Sequence, residues 1–69
     1  MTEAVNTASA ATSRDPYVGL QAVAALRRLL ERLEALQVDS ARRQGWSWEE
    51  IGRALGVSKQ AVHKKHGGR

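Results

Sequence analysis

The chain has 69 residues, a formal net charge of +4 and no cysteine. This length allows one small domain at most, and the lack of cysteine excludes disulfide bonds and thiolate metal sites as sources of stability. No apolar run reaches the roughly 18 residues of a membrane span, and residues 1–12 lack the basic start and leucine-rich core of a secretion signal. We therefore expect a soluble, cytoplasmic protein without a membrane partner.

Residues 1–14 consist mainly of alanine, threonine and serine and show no periodic pattern. A segment with so few large apolar side chains cannot bury enough surface to offset the entropy lost on ordering. Its one basic residue, Arg14, stands beside Asp15, so the segment does not resemble a basic arm for DNA. We predict a disordered tail over residues 1–14.

Residues 15–44 have the signals of one long helix. Asp15 is a suitable N-cap, Pro16 follows at the first helical position, and Gly45 stands where a helix commonly ends. The pattern predicts an amphipathic helix of about 43 Å at 1.5 Å per residue. A break near Asp39, which is able to cap a separate short helix, is the alternative.

One arc of this helix, about 140° wide, is apolar, and charged residues lie opposite it. The apolar positions on this arc are Ala22, Val23, Leu26, Leu29, Leu30, Leu33, Leu36 and Ala41. Such a strongly amphipathic helix is expected to bury its leucines against another element or another chain.

Residues 45–69 read as two short helices, over 47–55 and 58–66, joined by a tight turn. Ser47 is a good N-cap, and Glu50 has the spacing of a capping box. Gly56 is able to adopt a positive φ at the turn, and Ser58 then caps the next helix. The pattern therefore predicts a helix, a sharp turn and a second helix.

This segment resembles the DNA-binding helix-turn-helix, most closely the form in region 4 of bacterial sigma factors and in small actinobacterial regulators. The matching positions are Ile51, Gly52, Gly56, Val57 and Val62. Gly52 is expected to be small because the second helix crosses there. The resemblance implies an all-α chain, with the long helix completing a three-helix DNA-binding module.

The pattern departs from the family at Lys65, where an apolar residue is common. Two explanations are open: the stem of Lys65 covers Trp48 or Val62, or His66 supplies the missing packing.

Each short helix is only about 13 Å long, so the motif covers only the last third of the long helix. Leu36 and Ala41, with Leu33 as a further candidate, are expected to form the core with Ile51, Leu55, Val57 and Val62. The leucines of the apolar arc that this core leaves uncovered predict a homodimer. A different protein partner and a folded-back monomer are the alternatives. The predicted dimerisation residues are Leu26, Leu29, Leu30 and Leu33.

In motifs of this kind the second helix enters the major groove. The resemblance therefore assigns base contacts to Ser58, Lys59, Gln60, His63 and Lys64, and phosphate contacts to Lys64, Lys65 and Arg69. Residues 58–69 contain no acid at all, and this local clustering of positive charge is typical of nucleic-acid binders. Further phosphate contacts are expected from Arg42, Arg43 and Arg53.

Nothing in the sequence indicates catalysis, a metal or a cofactor. His63 and His66 lie three residues apart, but no cysteine or nearby acid completes a metal site. Glu49 and Glu50 do not form a catalytic pair, because Glu50 is the capping-box acid. We expect a protein that is not an enzyme and that has no cofactor.

These patterns predict sequence-preferring binding to double-stranded DNA by a small dimeric transcriptional regulator associated with the nucleoid. The alternative is a protein-interaction module that docks on RNA polymerase or on a partner regulator. Loss of affinity with rising salt distinguishes direct DNA binding from the alternative.

Overall fold

A computed structural model describes residues 2–68 as all-α, without a strand in that range. The helices are α1 (Thr2–Ala10), α2 (Pro16–Arg43), α3 (Trp48–Leu55) and α4 (Lys59–His66). Two compact units divide the chain, Met1–Leu33 and Glu34–Arg69, and helix α2 contributes residues to both. Within the described residues, no helix is long and apolar enough to cross a membrane.

Helix α1 corrects the prediction of a disordered tail over residues 1–14. The first helix of the chain is this short one, nine residues long, and the long helix comes second. The prediction considered only large apolar side chains, but the segment has no glycine or proline, and Ala4, Thr7 and Ala10, three residues apart on one side of the helix, are half-buried. The turn that follows is also ordered, because the N–H of Ser13 donates to the carbonyl of Ala10 at 3.0 Å.

Helix α2 agrees with the long helix predicted over residues 15–44, and it has no break near Asp39. At its start, the N–H of Tyr17 donates to the Asp15 carboxylate at 3.0 Å, which confirms Asp15 as the capping residue. At its end, Gly45 has a φ of 89°, which only glycine adopts at low cost. The chain then turns, and the N–H of Trp46 donates to the carbonyl of Ala41 at 3.0 Å.

Helix α3 has the capping box that its sequence predicts. The N–H of Glu50 donates to the Ser47 hydroxyl at 3.1 Å, and the N–H of Ser47 donates to the Glu50 carboxylate at 2.9 Å. This backbone hydrogen bond from Ser47 lowers the pKa of Glu50. The helix ends at Gly56, whose φ of 77° directs the chain into the turn before α4. Both ends of α3 are therefore defined by local contacts.

The core of the second unit consists of Val38, Ile51 and Val62, with Ala41 and Trp48 packed against it. The prediction that Leu36 belongs to this core is wrong, because its side chain is 63% exposed. On a helix of 3.6 residues per turn, Leu36 lies about 160° around the axis from Val38. Hydrophobicity favoured Leu36, but the face of α2 that meets α3 and α4 is the one carrying Val38.

Three more predicted core residues are exposed: Leu33, Leu55 and Val57. Of the four leucines predicted to form a dimer, Leu26 and Leu29 are half-buried, whereas Leu30 is 65% exposed and Leu33 is 46% exposed. Exposed leucines on successive turns of one helix leave apolar surface in contact with water.

Candidate nucleic-acid interface

Helix α4 begins at a well-formed cap. Ser58 has extended backbone angles, and its hydroxyl accepts a hydrogen bond from the N–H of Ala61 at 3.0 Å. This arrangement satisfies one of the backbone donors at the helix start. The Ser58 hydroxyl therefore has a structural role here, in addition to the base contact that the resemblance assigns to it.

Close packing at Gly52 holds the start of α4 against α3. A Cβ at Gly52 would lie 2.8 Å from the carbonyl oxygen of Val57 and 3.2 Å from that of Ser58. The Gly52 carbonyl also accepts a hydrogen bond from the N–H of Val57 at 2.9 Å. The expectation that Gly52 must be small is therefore confirmed, and the atoms it accommodates belong to the turn that leads into α4.

The buried side of α4 carries Val62, which is 2% exposed, and His66, which is 7% exposed. His66 Nε2 lies 2.7 Å from a carboxylate oxygen of Glu34 on α2. Of the two explanations for the unusual residue at position 65, the burial of His66 supports packing by the histidine. The packing at the end of α4 is therefore supplied by a buried imidazole and its carboxylate partner.

Lys65 binds the same carboxylate as His66. Its ammonium lies 3.0 Å from the Glu34 oxygen, and the side chain is 46% exposed. Hydrogen bonds from His66 first and Lys65 second lower the pKa of Glu34 below its ordinary value of 4.5. Lys65 was predicted to contact phosphate, and such a contact would compete with this ion pair.

Replacing Glu34 with glutamine is expected to destabilise the protein by about 1–2 kcal/mol at neutral pH, since the buried imidazole loses a charged hydrogen-bond partner. A carboxyl group with a lowered pKa in the folded state stabilises the protein above its unfolded pKa, and this stability is lost as the pH falls through the folded pKa. The stability of the parent should therefore fall below about pH 4.5.

Urea unfolding from pH 7 to pH 3 would measure this effect in the parent and in Glu34→Gln. The variant should lose less stability than the parent over the acidic range. Glu50→Gln is a positive control: because the capping box lowers the pKa of Glu50, this variant should also lose less stability than the parent over the acidic range. Equal acid dependence in the parent and in Glu34→Gln would contradict a stabilising role for the ionised Glu34.

The outward side of α4 presents four of the predicted DNA-binding residues: Lys59, Gln60, His63 and Lys64. All four are exposed, and Ala61 between them is exposed as well. No acid lies within α4. Arg69, the last predicted phosphate contact, lies outside the described residues.

Arg42, for which a phosphate contact is expected, makes two contacts within the chain. Its guanidinium donates to the carbonyl of Trp46 at 2.8 Å and lies over the indole of Trp48, 4.6 Å from the ring centroid. The imidazole of His63 packs on the same indole, with ring centroids 5.2 Å apart. Sequence reasoning missed this cluster, since its members come from three helices and no local pattern links them.

Glu34 was also missed, although the sequence contains a signal for it. Glu34 lies one turn before Val38, so both point towards the same side of α2. Glu34 thus lies one turn from a core residue, and His66 stands next to the position at which the resembled motif commonly has an apolar residue. Together these two features suggest a buried pair. Among the side chains of residues 4–68, no group of three or more histidine, aspartate or glutamate residues is arranged to hold a metal ion.

Comparison with known proteins gives a short partial similarity. The chain is 57% identical over 28 residues to uncharacterized proteins of Mycobacterium bovis and of two strains of Mycobacterium tuberculosis. The match covers 41% of this chain and 11% of the length of each relative. No protein-family model matches the chain, and no solved structure matches it.

Proposed function

We propose that this chain binds double-stranded DNA with a preference for sequence, through a helix-turn-helix in which α4 is the recognition helix. The observation that carries the proposal is the outward side of α4, which combines exposed lysine, glutamine and histidine side chains with no acid. These side chains are able to form hydrogen bonds with base edges and phosphates. The proposed role is that of a small transcriptional regulator in the nucleoid, without enzymatic activity.

The packing of α3 and α4 supports this proposal. A helix that reads base edges must be held at a fixed angle, because the same side chains meet different base atoms when the angle changes. The start of α4 is held at Gly52, its middle by the buried Val62, and its end by the hydrogen bond between His66 and Glu34. These three contacts keep the opposite side of α4 available for a ligand.

The exposed residues of α4 suit distinct parts of a DNA duplex. Gln60 has the donor and acceptor for a bidentate contact with adenine, and Lys59 suits O6 and N7 of guanine. Lys64, near the end of α4, suits a phosphate. Ser58 keeps its cap and lies beside the backbone N–H groups at the helix start, which favour an anion.

We further propose that the regulator is a homodimer paired through α2. Exposed leucines at positions 30 and 33 support this, since burial in a second copy removes their side chains from water. A dimer also gives two copies of α4, and two recognition helices match the two half-sites that dimeric regulators bind.

Fluorescence anisotropy with a random-sequence duplex at about 50 and 200 mM salt tests direct DNA binding. If a dimer makes about six phosphate contacts, affinity should fall on the order of a thousandfold between these concentrations. Lys64→Gln should weaken binding and reduce the salt slope by about one for each copy of the site.

Arg28→Gln is the matched control for Lys64→Gln, since it removes the same charge from an exposed position on α2. It should leave the affinity and the salt slope nearly unchanged. An absence of binding at the lower salt concentration, or equal effects of the two substitutions, would contradict recognition through α4.

A second candidate function is docking on RNA polymerase or a partner regulator. The exposed apolar side chains of Trp46 and Leu55 in the second unit favour it, because such surface commonly marks protein contacts. Binding of this kind is expected to depend weakly on salt, so the anisotropy experiment separates the two functions.

A further inference from the structure

Trp48 joins α3 to both other helical segments of the second unit. The Arg42 guanidinium carbon, from the last turn of α2, lies 4.6 Å from the centroid of the indole. The imidazole of His63, from α4, packs on the same indole at a centroid distance of 5.2 Å and an interplanar angle of 50°. Trp48 is therefore in contact with a residue on the outward side of the proposed recognition helix.

The indole is itself held in place. Trp48 packs against the core, and the Arg42 guanidinium over its ring is fixed by donating to the carbonyl of Trp46 at 2.8 Å. A guanidinium over an indole is attracted by the negative face of the ring. The contact with Arg42 on α2 therefore fixes the position of the indole on which His63 packs.

The imidazole of His63 also lies beside Gly67. A Cβ at Gly67 would lie 2.7 Å from His63 Nε2, so the glycine leaves the space that the ring occupies. Tilted aromatic pairs at this distance have a preferred geometry. Of the exposed side chains on α4, His63 thus has a defined orientation, whereas Lys59 and Lys64 have long flexible stems.

We propose that Trp48 is a positioning residue for DNA recognition: it holds the imidazole of His63 in one orientation, so that the base preference of α4 depends on Trp48. The inference rests on the proposed function. A side chain that is already oriented loses less rotamer freedom when it meets a base edge. Trp48 contributes through His63 and does not itself touch DNA.

The test compares two duplexes: one selected from a random pool by the parent protein, and one of random sequence. The ratio of their affinities is measured by anisotropy for Trp48→Leu, His63→Ala and the double variant. Each single variant should lower the ratio about tenfold, which is the size of one base contact. Because both remove the same contact, the double variant should lower the ratio no further.

Two controls distinguish a loss of the His63 orientation from a general loss of structure. Trp46→Leu makes the same change two residues away and should leave the ratio unchanged. Trp48→Phe keeps an aromatic surface and should retain most of the ratio. Affinity for the random duplex should stay within about twofold in all variants, since phosphate contacts by lysines do not involve the indole.

The contact itself is observable without DNA. The ring current of Trp48 should shift the imidazole proton resonances of His63 in the NMR spectrum, and Trp48→Leu should remove this shift. Because Trp48→Phe preserves packing better than Trp48→Leu, it keeps the experiment interpretable if the leucine variant does not fold.

The outcomes distinguish the two proposals. If selection yields no duplex that the parent binds more tightly than the random one, the proposed function fails, and the inference fails with it. If the parent discriminates between the duplexes but Trp48→Leu keeps the full ratio, the inference alone is overturned. Multiplying effects in the double variant would also overturn it, because they would show that Trp48 and His63 act independently.

Discussion

Gly52→Ala is expected to lower the free energy of unfolding by about 2 kcal/mol, the cost of placing an extra carbon in a packed site. The new Cβ would lie 2.8 Å from the carbonyl oxygen of Val57 and 3.2 Å from Ser58 atoms. All of these are backbone atoms of the turn, so no flexible side chain can move aside. The substitution must displace the turn, and α4 with it.

The sign of this effect is opposite to the intrinsic preference of the residues. Alanine is better than glycine inside a helix by about 1 kcal/mol. The predicted loss of stability is the net effect after this gain has been subtracted from the cost of the close contacts. Thermal unfolding followed by circular dichroism should show a fall in Tm on the order of 10 °C for a chain of this size.

Gly19→Ala is the matched control, because Gly19 also lies inside a helix. There the nearest atoms to a new Cβ are carbonyl oxygens of Ser13 and Ala11 at 3.6 and 3.7 Å, an ordinary contact distance. This variant should be unchanged or up to about 1 kcal/mol more stable. Similar stabilisation by both substitutions would show that the turn does not approach Gly52 as described.

Leu30→Glu combined with Leu33→Glu is expected to convert a dimer to a monomer. Both leucines are exposed in the single chain, so the substitutions should leave the helix intact. In a symmetric dimer they amount to four side chains, and burying these is worth on the order of 6 kcal/mol. The dissociation constant should therefore rise about ten-thousandfold. Sedimentation equilibrium of the parent and the variant at equal concentration measures this change.

Arg28→Glu is the control for charge. It changes the net charge by −2, as the double leucine variant does, but it lies about 150° around α2 from the leucines. It should sediment like the parent. A parent that is already monomeric, or a double variant that stays dimeric, would refute pairing through the leucines and leave them available to another protein.

Local signals predicted the ends of the long and short helices well. Asp15 caps α2, the Ser47 and Glu50 pair caps α3, and Gly45 and Gly56 adopt positive φ where the sequence requires it. Each of these features involves atoms within a few residues of one another. Such contacts form whenever the helix forms, so the sequence is sufficient to predict them.

Helix α1 is an instructive failure of the same reasoning. Its segment has few large apolar residues, and the prediction treated burial as a requirement for order. Only three of the nine residues of α1 are alanine, and its half-buried side carries the small residues Ala4, Thr7 and Ala10. The spacing of these small residues, which the prediction did not consider, was the missed signal in this segment.

The sequence by itself determined the starts and ends of α2, α3 and α4, since these depend on spacing within one or two turns. The all-α class and the small residue at Gly52 were expected from the resemblance to the helix-turn-helix. Tertiary structure alone decided which side of α2 is buried. It selected Val38 over the larger Leu36, and it brought Glu34 to His66 and Trp48 to His63. These pairs are far apart along the chain, and their contacts depend on the angle at which helices cross. Small changes in that angle exchange one set of facing residues for another, so composition and periodicity do not specify them.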